Sequence, residues 1–139
     1  MLSYFNHHNS FLHGIMFHHF HENYKHKKQQ GSISADDLVK IIKYIGRENI
    51  INANEFCDEV KINNFDQKKV CFTFDDSLLC QYDIALPILE DFDIKSFFFL
   101  YSSIYEGEPD MLEVYRYFRM NFFDEIDDFY EIFFDFFQN

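Results

Sequence analysis

The chain has 139 residues, 47% of them hydrophobic, which suffices for one domain (1–139) with a modest core and excludes a disordered tail. Twenty Phe and nine Tyr with no Trp point to an aromatic interior, and four Gly with two Pro exclude a loop-dominated fold. Twelve basic side chains against twenty-four acidic ones leave a formal charge of -12, which repels a phosphate backbone and an anionic lipid surface alike, so neither nucleic acid nor a membrane is an expected partner.

In chain order, residues 1–12 read as an irregular N-terminus. No basic segment there leads into an uninterrupted apolar stretch, and nowhere does an apolar run approach the ~20 residues of a membrane span, so the expected location is the cytoplasm. Gly14-Ile15-Met16-Phe17 suits a buried first strand. Histidines follow at 18, 19 and 21, and on an unbroken strand the two-residue repeat puts His19 and His21 on one face. A His-x-His at a strand end can ligate zinc or a similar ion, and it can equally be a solvated cluster; both readings stand. The polar stretch 26–31 is a loop.

Ser34-Ala35-Asp36-Asp37 has capping-box spacing with Asp in place of Glu, and Leu38, Ile41, Ile42 and Ile45 recur at helical period up to Gly46. The spacing predicts a helix over Ala35–Ile45 with one apolar stripe against a sheet. Ile50-Ile51 reads as a very short strand, Asn54–Val60 as a short helix and Lys61–Lys69 as a polar connection.

Val70-Cys71-Phe72-Thr73-Phe74 is a run of strand formers that enters Asp75-Asp76-Ser77 directly. A buried strand delivering two carboxylates at its carboxyl end is the arrangement α/β enzymes use to place charge at a site. The same pair could simply end a strand and cap the next helix. Leu78, Leu79, Tyr82, Leu86 and Leu89 continue at near-helical spacing, but Pro87 has no amide to donate, so two helical pieces are expected, Leu78–Ala85 and one starting near Pro87. Lys95–Tyr101 is apolar almost throughout and reads as a strand covered on both faces, which completes a βαβ unit. Met111, Leu112, Tyr115, Phe118 and Phe122 mark a helix of about Asp110–Asn121, and Ile126, Phe129, Tyr130, Phe133, Phe134 and Phe137 mark another with a Phe stripe expected to be core. Cys57, Cys71 and Cys80 are odd in number and lack Cys-x-x-Cys spacing, so they read as reduced and mostly buried.

Thr73-Phe74-Asp75-Asp76, followed at the usual distance by Ile94-Lys95-Ser96-Phe97-Phe98-Phe99, resembles two successive motifs of the polysaccharide deacetylases, carbohydrate esterases built on the NodB homology domain. Phe17-His18 is similar to an aromatic-His pair common on the family's first strand, and Asp93 stands where relatives usually have Gly, in a left-handed turn that Asp tolerates. The resemblance covers about Gly14–Tyr105. It implies an α/β fold, a partial NodB-like distorted (β/α) barrel with a parallel sheet, to which residues 110–139 add a helical insertion or extension. It implies Asp75 as the catalytic general base, Asp76 as a ligand of a divalent metal (zinc, cobalt or nickel), and an acetylated carbohydrate as substrate, cleaved at an amide C–N bond or an O-acetyl ester.

The family's later His-x-x-x-His, Arg-Pro and Leu-x-x-His motifs do not appear, and no histidine follows His26. The chain is therefore expected to be either the N-terminal part of a longer enzyme or a shortened relative without catalysis. Alone it is expected to be inert and poorly soluble, with an open strand edge at Phe97, Phe98 and Phe99. Two alternatives stand beside the deacetylase: another metallohydrolase using His19 and His21, and a non-catalytic acidic module that exposes its Phe-rich C-terminal helix to a partner.

Overall fold

The computed structural model describes residues 11–22 and 24–138, so the irregular start expected for residues 1–12 falls almost wholly outside the described residues. Two compact units emerge, Met1–Leu100 and Tyr101–Asn139.

The first unit is built on a parallel three-stranded sheet in the order β1 (His13–Phe17), β4 (Val70–Phe74), β5 (Phe97–Phe98). A second parallel pair joins β2 (Phe20–His21) to β3 (Ile33–Ser34). In the main sheet the register runs from His13 opposite Val70 to Phe17 opposite Phe74, and Thr73 and Phe74 lie opposite Phe97 and Phe98. The central strand is the most apolar and has a neighbour on each side, so Val70, Cys71, Phe72 and Phe74 are fully buried. Phe74 stacks on Phe17 at 5.3 Å and on Phe98 at 4.8 Å between ring centroids, an aromatic row across all three strands.

Two strand expectations need correction. Among the described residues β1 lies at a sheet edge rather than wholly inside, and it alternates, burying Phe17 while Met16 is 58% exposed. β5 is two residues long and is not covered on both faces: Phe98 is exposed and Phe99 is 53% exposed. Among the described residues no further strand pairs with it, so the ladder stops after the amide of Phe99 donates to the Phe74 carbonyl at 2.8 Å.

α1 spans Ala35–Ile45, the predicted bounds. Its capping box is complete, with Ser34 Oγ accepting from the Asp37 amide at 3.2 Å and Asp37 Oδ2 accepting from the Ser34 amide at 3.1 Å. The Ser34 hydroxyl and amide hold the Asp37 carboxyl below its ordinary range. Leu38, Ile42 and Ile45 are the buried stripe, in one cluster with Val70, Phe72 and Phe74. Gly46 ends the helix at φ 88°, a conformation that glycine adopts without steric cost. The short strand expected at Ile50-Ile51 is a single bridge from Ile50 to Val70. α2 spans Ala53–Lys61, and Asn52 at its start accepts the Lys95 amide on Oδ1 at 2.7 Å, tying this helix to the segment entering β5.

After β4 the helical path is continuous from residue 79 to residue 91 rather than broken at Pro87. The turn Gln81–Ala85 is a π-helix in which the Leu86 amide reaches the Gln81 carbonyl, and α3 (Leu86–Asp91) follows with Pro87 in its first turn. A widened turn accommodates the missing proline amide without ending the helix. Asp93 takes the expected left-handed conformation at φ 51°. Arg47 secures this corner, donating to the carbonyls of Phe92, Ile50 and Asp93.

Cys71 and Cys80 are buried and Cys57 is partly so. Burial pushes the Cys71 thiol up to about 12, so it stays protonated and unreactive at neutral pH. In the folded protein Cys71 should resist iodoacetamide and react once denaturant is added; labelling of the native state at the rate of a free thiol would contradict this packing.

The second unit pairs α4 (Met111–Phe122) with α5 (Ile126–Gln138). Asp110 caps α4, accepting from the amides of Leu112 and Glu113. The Phe stripe of α5 forms a ladder, with Phe129 to Phe133 at 5.7 Å and Phe133 to Phe137 at 4.7 Å. The expectation that this stripe is core is not met along its second half: Phe133 and Phe134 are exposed, and Phe137 by 68%. Two helices can touch along one seam only, so a stripe this wide keeps an uncovered side.

Candidate functional site

The carboxyl ends of β1 and β4 lie side by side, and the candidate residues follow directly from them. The Asp75 amide donates to the Phe17 carbonyl at 3.1 Å, the last ladder bond between the two strands. Beyond it the chain turns sharply, with Asp76 at φ 73° and Ser77 at φ 55°. Left-handed backbone costs a residue with a Cβ on the order of 1–3 kcal/mol and persists where the surroundings enforce it, often at functional sites. The turn brings Asp76 Oδ2 to 3.9 Å from Nε2 of His18, the residue that follows β1. Asp75, Asp76 and His18 are all half-buried, shielded but open to solvent.

The side chains of His21 and His26 have other partners. β1 ends at Phe17 and β2 begins at Phe20, so no continuous strand runs through His19 and His21, and the alternation that would have put them on one face does not operate. His21 Nδ1 lies 2.9 Å from Ser32 Oγ, and the His19 carbonyl accepts the Ile33 amide. His26 Nε2 sits 2.7 Å from Asp83 Oδ2, with Lys25 Nζ 2.6 Å from the same oxygen. Lys25 and then His26 hold the Asp83 carboxyl below its ordinary range, and the trio fastens the loop to the π-turn. No group of three or more His, Cys, Asp or Glu side chains suited to a metal ion occurs among the described residues.

Gln81 belongs to this site and escaped the sequence reading. It is 1% exposed, and its Nε2 donates to the carbonyl of His18 at 3.0 Å and to that of Asp75 at 2.5 Å. The available signal was a polar residue three positions after Leu78 and four before Ala85, on the face that packs.

What the arrangement can do follows from its donors. One carboxylate and one imidazole converge at the strand ends, a donor pair suited to zinc, cobalt or nickel, and a second carboxylate adjoins them as a possible proton acceptor.

Residues 62–119 match the family model described as Polysaccharide deacetylase, a stretch holding β4, the Asp75–Ser77 turn, the π-turn with α3, and β5. Among solved structures, a de-N-acetylase from Aggregatibacter actinomycetemcomitans matches with a TM-score of 0.50 and 16% identity, over 63% of this chain and 36% of that one. At that identity the likeness is one of fold, and this chain spans about a third of the neighbour's length. No curated protein matches the sequence. The matched segment contains the Thr73–Asp76 motif and its successor strand in register on one parallel sheet, and it is over these residues, 62–119, that the chain is similar to the polysaccharide deacetylase family.

Proposed function

We propose that this chain carries the carboxylate half of a metal-dependent carbohydrate deacetylase centre, with Asp75 as general base and Asp76 as metal anchor. The observation that carries the reading is the left-handed turn after the central strand, which holds Asp76 3.9 Å from His18 with Asp75 beside it. The donors present fit a divalent ion: Asp76 through a carboxylate oxygen and His18 through Nε2. Catalytic sites normally keep about three protein ligands, so a third donor would have to join Asp76 and His18 there.

When bound, such an ion polarises the acetyl carbonyl and lowers the pKa of water. The chain's own residues do the rest. Asp75 accepts the proton of the attacking water, and its amide and carbonyl, both hydrogen-bonded, hold it at the strand end. Asp76 contributes negative charge next to Asp75, a repulsion that a dication reverses. The substrate is an N-acetylated sugar, or one bearing an O-acetyl ester, entering at the strand ends from solvent. The excess of acidic residues disfavours nucleic acid, and no helix among the described residues is long and apolar enough to cross a membrane.

The test is release of acetate from N-acetylated and O-acetylated oligosaccharides by the polypeptide that carries this segment, with zinc, cobalt or nickel added and then chelated. Release should require the metal and stop with chelator. Turnover indifferent to chelation, or none on any acetylated sugar, would count against the proposal.

A further inference from the structure

We infer that Gln81 is a positioning residue that sets the separation of His18 and Asp76. The inference rests on reading Asp76 as a metal anchor. The backbone ladder between β1 and β4 ends with the Asp75 amide on the Phe17 carbonyl, and the next link outward is the Gln81 side chain, whose one amide nitrogen serves the carbonyls of His18 and Asp75 together. Those oxygens belong to the peptide planes leading into His19 and Asp76. Fixing them fixes where the two chains diverge, and the His18 and Asp76 side chains stand 3.9 Å apart where they do.

The amide orientation follows from its partners, because the reverse would set Oε1 against two carbonyl oxygens. Water does not compete at 1% exposure. The π-turn contributes as well: Gln81 is its first residue, and the Gln81 carbonyl takes the Leu86 amide, so backbone and side chain of one residue join the helix to both strand ends. Supporting groups of this kind are worth about 10–100-fold in metal affinity when removed.

The experiment uses the polypeptide that carries these 139 residues, labelled with 15N and titrated with Mn2+, whose paramagnetic broadening reports weak binding residue by residue. In the parent, broadening should centre on Asp76 and reach His18. Gln81→Met, close in size but without donors, should lower apparent Mn2+ affinity about 10-fold or more and lose broadening at His18 before Asp76, while thermal melting shows a folded protein. Gln81→Asn, a methylene too short to span both carbonyls, should do the same in part, and it decides the matter should Gln81→Met fail to fold. Affinity within twofold of the parent in a folded variant, with His18 still broadened, overturns the clamp alone. A parent showing no broadening at Asp76 overturns the metal reading, and the clamp's role there with it.

Discussion

If Asp75 is the proposed base, Asp75→Asn in the active polypeptide that carries this segment should keep fold and metal while lowering the deacetylation rate by roughly 10²–10⁴-fold, the usual worth of a general base. The structural requirements at this position are met by the backbone: the amide donates to Phe17 and the carbonyl accepts from Gln81, and neither bond uses the carboxylate. Asparagine keeps the shape of the side chain and gives up only the proton acceptor. The measurement is kcat for acetate release beside metal content by elemental analysis. A variant within a few-fold of the parent rate, or one that loses its metal, would remove Asp75 from the role of base.

Asp76→Ala should abolish metal retention, a loss larger than the ~10–100-fold seen for supporting groups, because it removes one of the two donors the site presents. Alanine is also poorly suited to φ 73°, so part of any effect could come from the turn itself. Asp76→Asn separates the two causes, since asparagine tolerates left-handed backbone while losing the charge. The expected result is weak metal binding in both variants, with a melting temperature close to the parent's for Asp76→Asn. Metal content unchanged in Asp76→Ala would rule out the anchor, and a melting temperature that falls equally in both would mark Asp76 as structural.

Local rules settled much of the chain in advance. The helix Ala35–Ile45 has its predicted bounds because a capping box, a 3.6-residue apolar period and a terminal glycine are all short-range signals that agree with one another. The central strand was legible for the same reason: five strand formers followed by two carboxylates can hardly sit anywhere but inside a sheet with the charge at its end. The left-handed Asp93 and the parallel pairing of Val70–Phe74 with Phe97-Phe98 followed from the motif in register.

What the chain order could not disclose depends on which neighbours an element acquires. Whether the apolar run after Ile94 is covered depends on a partner strand beyond it, and with none among the described residues Phe98 and Phe99 stay exposed. The Phe stripe of α5 has an unambiguous period and still lacks a core, because periodicity names the apolar face without naming what packs on it. Among the histidines, spacing favoured His19 and His21, but the two-residue rule holds only along an unbroken strand, and after the break at Phe17 it is His18 whose Nε2 stands 3.9 Å from Asp76. Gln81 shows the same limit most sharply. By itself the sequence determined that a carboxylate pair ends the central strand; only the tertiary structure decided that a glutamine six residues on would fold back between two strand ends, because a buried amide goes wherever unpaired carbonyls are, however far along the chain those lie.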